Sequence, residues 1–381
     1  MVRLPKALTL ACLMFGSVHL WAEGVCIDPE EAFPETIGGF RLFADNLEQK
    51  PNEGLIPYEL NTPHFADYAN LHRFLWVPPN DKVSYQEDGS LLYPVGSALV
   101  LTVGYLEDMR NPQQGERLIE TRLLVKSKTG WRAAQYVWNE EATDASLSPV
   151  GGERLVEWIH SDGSKRSLHH HVPNINQCKM CHELADVFVP LGPLDSRNLN
   201  RSIVREGEAV NQLEDWKDSG ILEGLPEQAD CLKAFPVWND SSTGSLDERA
   251  RAYLHVNCSS CHQPGGLAYT SGLDLTFDQK VPIRFGVFKS PVAAGRGVGA
   301  ARFGIYPGEP EASILYHRLG STDPGVRMPV VGRSLVHEEG LALIREWIEA
   351  MRYPELMKQH EHRRTALLGL WRTDGSEAAS R

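Results

Sequence analysis

The pattern C-x-x-C-H occurs twice in this 381-residue chain and constrains its structure more than any other feature. The first copy spans residues 178–182 (C-K-M-C-H) and the second spans residues 258–262 (C-S-S-C-H). Two thiols one helical turn apart are spaced to form thioether bonds with two vinyl groups on one porphyrin edge, and the following His then points its imidazole at the iron. The repeat therefore predicts two covalently attached haem c groups. The expected haem-binding residues are Cys178, Cys181, His182, Cys258, Cys261 and His262.

Two other cysteine chemistries fit this pattern less well. A structural zinc site built from both pairs would need them closer together, because Cys258 follows Cys181 by 77 positions, far more than the gap in zinc ribbons. Zinc also does not require a His after each pair. A thioredoxin-like redox pair would account for only one C-x-x-C, and neither copy is followed by a βαβ pattern.

The N-terminus is typical of an export signal. Arg3 and Lys6 precede an apolar run over residues 7–21, which is shorter than the roughly 20 apolar residues of a membrane-spanning helix. We therefore expect a periplasmic mature chain that starts near Glu23, with residues 1–22 removed. The alternative is a retained N-terminal anchor.

Two cysteines remain outside the haem motifs and the export signal. They are Cys26 and Cys231, since Cys12 lies within the signal. In an oxidising compartment we expect such a pair to form a disulfide, which would tie the N-terminal segment to the linker before the second motif. Two buried, unreactive thiols are the alternative, because sequence separation does not show whether the Cα atoms come within bridging distance.

The charge balance limits the kinds of partner. The chain has 38 Lys and Arg against 50 Asp and Glu, and loss of Arg3 and Lys6 with the signal takes the formal charge from −12 to −14. Nucleic acids and anionic membranes would need a basic face, so we exclude them as partners. No later segment is long and apolar enough for a stable membrane span. An acidic surface suits redox proteins, a donor and an acceptor, that carry a basic docking patch.

The first half of the chain is predicted to be β structure. Runs of Val, Leu, Thr and aromatic residues predict strands over residues 97–106, 118–126 and 131–139, with turn residues between them. No helical crossover intervenes, which favours an antiparallel, sandwich-like β domain over a parallel sheet. We assign it residues 23–165.

The second half is predicted to be mainly helical, which makes the whole chain a multidomain α+β protein. We assign residues 166–240 to a first haem-binding segment, 241–355 to a class I cytochrome c-like domain and 356–381 to a polar tail. Ser245 and Glu248 form a capping box that opens a helix leading to the second motif. Apolar residues at helical spacing predict an amphipathic closing helix, and Met351 is expected to belong to its core side. These residues are Leu341, Ile344, Trp347, Ile348 and Met351.

A low-spin haem needs a sixth ligand opposite the proximal His. For the second haem we predict Met328, which lies 66 positions after His262, is followed by Pro329 and precedes the closing helix. A thioether ligand raises the reduction potential of the iron. The alternative is that Met328 packs in a loop. The axial ligands predicted in this way are His182, His262 and Met328.

The sixth ligand of the first haem stays open at the level of sequence. No Met lies between His182 and Cys258, so a second His is the obvious substitute, and bis-His ligation would lower the potential relative to His/Met. An open iron is the other option. The candidate ligands are His64, His72, His160, His169, His170, His171 and His255, with Met109 as a thioether alternative.

Five segments carry a resemblance to a known family. They are 120–125 (E-T-R-L-L-V), 136–139 (Y-V-W-N), 172–182 (V-P-N-I-N-Q-C-K-M-C-H), 246–262 (L-D-E-R-A-R-A-Y-L-H-V-N-C-S-S-C-H) and 321–329 (S-T-D-P-G-V-R-M-P). With them the chain resembles the bacterial diheme c-type cytochromes with an N-terminal β domain, commonly found beside a parallel β-helix repeat protein. The resemblance covers most of the mature chain. It implies haem binding at both motifs and an electron-transfer role, and it supplies no substrate.

Three functions are compatible with these features. The first is a periplasmic cytochrome that carries electrons between redox partners, which requires no acid, base or nucleophile and is not an enzyme. The second is a diheme peroxidase-like oxidoreductase with one five-coordinate haem. It is disfavoured because such enzymes resemble two cytochrome domains in tandem. Here only the second motif is preceded by a predicted helix and followed by a candidate Met ligand. The third is a cytochrome tethered by a β binding module.

Overall fold

The computed structural model describes residues 24–205, 207–227, 232–293 and 295–359. The expected export signal, Cys231 and most of the predicted polar tail lie outside these ranges. Within them, no helix is long and apolar enough to cross a lipid bilayer.

The described residues form a mixed α and β structure. The helices are α1 Ile175–His182, α2 Ser196–Leu199, α3 Gln212–Asp218, α4 Leu246–Leu254, α5 Ile314–Leu319 and α6 Glu338–Ala350. The strands are β1 Phe43–Asp45, β2 Lys50–Pro51, β3 Leu55–Pro57, β4 Asn70–Trp76, β5 Val83–Tyr85, β6 Leu91–Leu92, β7 Ala98–Leu106, β8 Glu116–Ser127, β9 Gly130–Trp138, β10 Ala145–Leu147, β11 Gly152–Ile159, β12 Lys165–Val172, β13 Glu183–Leu184, β14 Val187–Phe188, β15 Ser202–Arg205, β16 Glu208–Asn211 and β17 Leu222–Glu223.

A six-stranded antiparallel sheet forms the body of the first half. Its strand order is β10-β9-β8-β7-β4-β3. The three strands predicted from sequence are confirmed as β7, β8 and β9, with bounds that differ by one or two residues. Their antiparallel pairing is confirmed as well: residues 107–115 connect β7 to β8, and residues 128–129 connect β8 to β9.

The two faces of this sheet are buried by different parts of the chain. Side chains alternate along a strand, so Leu99 and Val100 of β7 point to opposite faces. Val100 packs in a cluster with the N-terminal segment around Phe40. Leu99 shares a cluster with Leu213 and Trp216, which follow the first C-x-x-C-H motif. The segment after that motif therefore completes the core of the sheet.

Helices α4 and α6 form the core of the second half. The predicted capping box is confirmed: the Ser245 hydroxyl accepts from the Glu248 amide at 3.3 Å, and the Glu248 carboxylate accepts from the Ser245 amide at 3.0 Å. The predicted closing helix is also confirmed as α6. Of its apolar stripe, the buried members are Ile344, Trp347, Ile348 and, just past the helix, Met351, while Leu341 is half-buried.

A short loop of the first half is held by the second half. The Asp67 carboxylate accepts hydrogen bonds from the amides of Ser334 and Leu335 at 2.7 and 2.8 Å. The ring of Phe65 stacks on His337 with centroids 4.2 Å apart. This loop, residues 64–68, joins the two halves beside the cavity described next.

Candidate functional site

A cavity of about 1080 Å³ lies between the two halves of the molecule. Both C-x-x-C-H motifs line it, together with Met328 and residues of the main sheet. Pockets for a single small ligand are typically about 300–1,000 Å³ and mostly apolar. The cavity therefore has the size for a large ligand or for more than one.

The first motif lies on α1. Asn174 caps this helix: its side chain accepts from the amides of Asn176 and Gln177, and the Gln177 side chain accepts from the Asn174 amide at 2.9 Å. Helix α1 begins just after this cap and contains both Cys178 and Cys181, so the two cysteines lie one helical turn apart. Both half-buried thiols line the cavity.

The hairpin of β13 and β14 orients the ring of His182. It turns the chain back so that the Val189 carbonyl reaches the His182 ring, with 2.8 Å between Nδ1 and the oxygen. A carbonyl can only accept, so Nδ1 carries the proton and Nε2 carries the lone pair of the neutral ring. Phe188 stacks on the same ring, with centroids 5.2 Å apart. Metal-binding histidines are commonly oriented by such a bond from the other nitrogen.

The second motif follows α4 directly. A π-helical turn over His255–Ser259 continues the helix and holds the buried Cys258. The amides of Cys261 and His262 both bond back to the Cys258 carbonyl, at 3.2 and 3.0 Å. The His262 ring bonds through Nδ1 to the Ser271 hydroxyl at 3.2 Å. A hydroxyl can donate or accept, so this bond engages Nδ1 without fixing the tautomer, and it leaves Nε2 unused by Ser271.

Burial keeps both motif histidines neutral. It lowers the pKa of His182 to about 4, and burial together with the charge of Arg318 lowers the pKa of His262 to about 4. The neutral imidazole is the form that binds a metal. At pH 7 both rings are therefore in the ligating form.

The two motifs meet inside the cavity. The Cys181 and Cys261 thiols lie close enough to act on each other, which raises the pKa of Cys181 and lowers that of Cys261. The Cys261 sulfur also lies 3.3 Å from the Met180 carbonyl oxygen, and the Ala185 amide donates to Gly265 at 2.9 Å. Sequence reasoning placed the motifs in separate segments and did not predict this meeting, because no local pattern encodes a contact across 80 positions.

Met328 lines the same cavity as His262. Its amide donates to the Arg318 carbonyl at 3.1 Å, and its own carbonyl accepts from the buried Arg333 guanidinium at 2.7 Å. Arg333 also donates to the carbonyls of Leu319 and Leu335. This network holds the loop before α6 in place at the cavity wall. The predicted role of Met328 as ligand to the second haem stays a prediction.

The candidate ligands for the first haem separate into two groups. Four of the histidines line the cavity and the other candidates do not. The cavity-lining ones are His64, His170, His171 and His255. Those away from the cavity wall are His72, His160, His169 and Met109.

Three arginines at the cavity wall have buried guanidinium nitrogens with no hydrogen-bond partner among the described residues: Arg73, Arg318 and Arg327. Burial lowers the pKa of Arg73 and of Arg318. Unpaired buried charge is costly, so such a cavity favours a ligand that brings carboxylates. Sequence reasoning missed these residues, because nothing in a sequence shows that an arginine is unpaired.

The predicted disulfide stays a prediction. Cys26 has a free thiol in an exposed position, and Cys231 lies outside the described residues.

Comparison with protein families, with curated proteins and with solved structures finds no match to this chain. In the described part of the chain, no cluster of three or more His, Cys, Asp or Glu side chains is placed to hold a metal ion.

Proposed function

We propose that this protein is a periplasmic diheme c-type cytochrome that carries electrons between redox proteins. In this proposal one haem is attached through Cys178 and Cys181, and the other through Cys258 and Cys261. The observation that carries the proposal is that both motifs line one cavity of about 1080 Å³ and that the Cys261 sulfur of the second motif lies 3.3 Å from the Met180 carbonyl oxygen of the first. In this proposal the chain is one of the diheme cytochromes that it resembles, with α4 to α6 as the cytochrome c-like part and the main sheet as the β domain.

The residues present fit two haems in three respects. Each motif offers two thiols and one imidazole whose Nδ1 is already hydrogen-bonded. Apolar side chains such as Leu275, Phe285 and Ile305 line the wall and would exclude water. The unpaired guanidinium nitrogens match the propionate carboxylates that haem carries.

The chain would perform electron transfer mainly by positioning. A bound haem supplies one-electron chemistry at its iron. His182 and His262 would hold the two irons, oriented by Val189 and Ser271. Cys181 and Cys261 would hold neighbouring porphyrin edges together, so that an electron has a short path between them. Met328 would complete the coordination of the second iron and raise its potential.

The test is covalent haem content in protein produced with periplasmic cytochrome c maturation. We expect haem stain on a denaturing gel and an intact mass that exceeds the polypeptide by two haems. Replacing Cys178 and Cys181 together by Ser should remove one haem, and replacing Cys258 and Cys261 together should remove the other. The matched control, Cys26→Ser, should keep both. A wild-type protein without covalent haem, or one that carries zinc at these cysteines, would overturn the proposal.

A further inference from the structure

His64 differs from the other histidines at the cavity wall because its ring is unengaged. It lines the cavity, and within the described ranges neither of its ring nitrogens has a hydrogen-bond or ion-pair partner. The ring belongs to the loop at residues 64–68 that bridges the two halves. A neutral imidazole that faces a cavity with both nitrogens unused is available as a metal ligand.

The other cavity-lining candidates are already hydrogen-bonded. His170 uses both nitrogens, Nε2 with the Glu120 carboxylate at 2.8 Å and Nδ1 with the Tyr105 hydroxyl at 3.1 Å. His171 uses Nε2 with Gln177 at 2.9 Å. Coordination by His170 would first require one of these bonds to break, whereas His171 has an unbonded Nδ1 but is an exposed residue.

His255 is engaged in the same way. Its Nδ1 accepts from the Phe277 amide at 3.3 Å and lies 3.3 Å from the Ser259 hydroxyl. The ring also packs edge-to-face against Phe235, with centroids 5.2 Å apart. These contacts hold His255 beside the second motif, which begins at Cys258.

The surroundings of His64 are those of the first motif. After burial, the charges of Arg73, Arg122 and His182 lower the pKa of His64, and Arg122 also lowers the pKa of His182, so both rings lie within electrostatic range of the Arg122 guanidinium. The same guanidinium interacts with Cys178 and Cys181. Met328 lies near the second motif instead. Its amide donates to the Arg318 carbonyl, and the charge of Arg318, after burial, lowers the pKa of His262.

The backbone on both sides of His64 is fixed. Thr62 is joined to Asn198 by two hydrogen bonds, of 2.9 and 3.0 Å. The Phe65 amide donates to the Asn257 side chain at 2.8 Å. Anchors on both sides leave the loop little freedom to move, so the imidazole is pre-organised at the cavity wall.

We propose that His64 is the sixth ligand of the iron held by the first motif, opposite His182. This inference rests on the proposed function and deepens it, because the β half then supplies an iron ligand and is part of the haem site. Bis-His ligation would lower the potential of the first haem relative to the His/Met second haem. An electron would therefore reside on the second haem at equilibrium.

The test compares His64→Ala with His171→Ala, a matched change at another cavity-lining histidine, in protein that carries both haems. We expect the wild type and His171→Ala to show two low-spin ferric haems by EPR. His64→Ala should keep two haems by stain and mass, lose half of the low-spin signal and bind one cyanide per chain at the high-spin iron. Added imidazole should restore the low-spin signal.

A second variant covers the case in which His64→Ala does not fold. His64→Met keeps a ligand of similar length, and we expect two low-spin haems with the lower of the two potentials raised. The inference fails if His64→Ala retains two low-spin haems, if His64→Met leaves both potentials unchanged, or if the wild type already contains a high-spin haem. Absence of haem from the wild type would instead overturn the proposed function.

Discussion

At the scale of single residues, a buried charge cluster supports the wall of the cavity. The Glu120 carboxylate is fully buried between Arg122 and His170, whose Nε2 lies 2.8 Å away. Burial alone would raise the pKa of Glu120, but the charge of Arg122 and the bond to His170 outweigh it and lower the pKa to about 2. Glu120 therefore stays ionised and holds Arg122 at the cavity.

Removing Glu120 should destabilise the fold strongly. Glu120→Ala leaves the Arg122 charge buried beside the cavity without a carboxylate, and breaking a buried pair in this way costs about 3–5 kcal/mol. Urea unfolding of the purified variant measures the loss. The control is Glu355→Ala, which breaks the exposed pair with Lys358 and should cost about 1 kcal/mol at most. Equal costs for the two variants would contradict this account of Glu120.

The same carboxyl should make stability depend on acid pH. Its pKa is lower in the folded chain than its ordinary value of 4.5, so its stabilising effect is complete above pH 4.5 and is lost as the pH falls toward 2. We expect the free-energy difference between the wild type and Glu120→Gln to shrink across this window, as followed by unfolding at a series of pH values. A constant difference from pH 6 to pH 2 would show that Glu120 is not the titrating group.

Sequence could predict the site residues that carry a local signal and no others. The two C-x-x-C-H motifs and Met328 could be named as candidates because spacing and position along the chain point to them. Arg73 and Arg318 were missed because their importance is one buried guanidinium nitrogen each that lacks a partner, which depends on the whole fold. His64 could be named only as one candidate among eight for the same reason.

At the scale of elements, strand periodicity explains the histidine run of β12. Side chains alternate along a strand, so His170 is buried while His169 and His171 are exposed. Sequence reasoning assigned the β domain residues 23–165 and did not place these histidines in a strand. Their pairing partner is β11, and a polar run such as K-R-S-L-H-H-H gives little hydrophobic signal of a strand.

The packing of α4 on α6 depends on a glycine at the start of α6. A Cβ added to Gly340 would lie 2.6 Å from the Tyr253 Cζ atom and 2.6 Å from the His337 Nδ1 atom. Gly340→Ala should therefore push the helices apart and cost about 1–3 kcal/mol, as overpacking of a core does. Urea unfolding measures the change. Gly152→Ala has no atom within 4 Å of the added Cβ and should be nearly neutral, so an equally small effect at Gly340 would contradict the close approach.

At the scale of the whole molecule, the segments predicted from sequence do not coincide with the groups of residues that form the hydrophobic core. The segments predicted from sequence divide the chain at changes of composition, in chain order. The core beneath the main sheet instead combines Leu75 with Leu213 and Trp216, on opposite sides of the first motif. Contacts between distant parts of a chain follow from the topology of the fold. A local pattern therefore predicts each strand and helix but not the cavity between them.

The meeting of the two motifs should couple the haems. If the Cys181 and Cys261 thioethers lie side by side, the porphyrin edges they hold are neighbours, and a charge on one iron acts on the other through a low-dielectric interior. We expect a two-signed circular dichroism couplet in the Soret band and a potential for each haem that depends on the state of the other. A Cys178→Ser, Cys181→Ser protein, with one haem, should show neither. A wild-type Soret spectrum equal to the sum of two isolated haems would contradict this coupling.

The net charge of −12 should govern how the protein meets its partners. Opposite charge steers association and raises its rate about 10- to 1,000-fold at low salt, whereas the Debye length falls from about 30 Å at 0.01 M to about 8 Å at 0.15 M. We therefore expect the bimolecular rate of electron transfer to a basic cytochrome to fall by about tenfold or more over this range of salt. Stopped-flow mixing measures this rate. With an acidic cytochrome of similar potential the rate should rise with salt, because screening then removes a repulsion. Equal salt dependence with both partners would show that docking does not use the acidic surface.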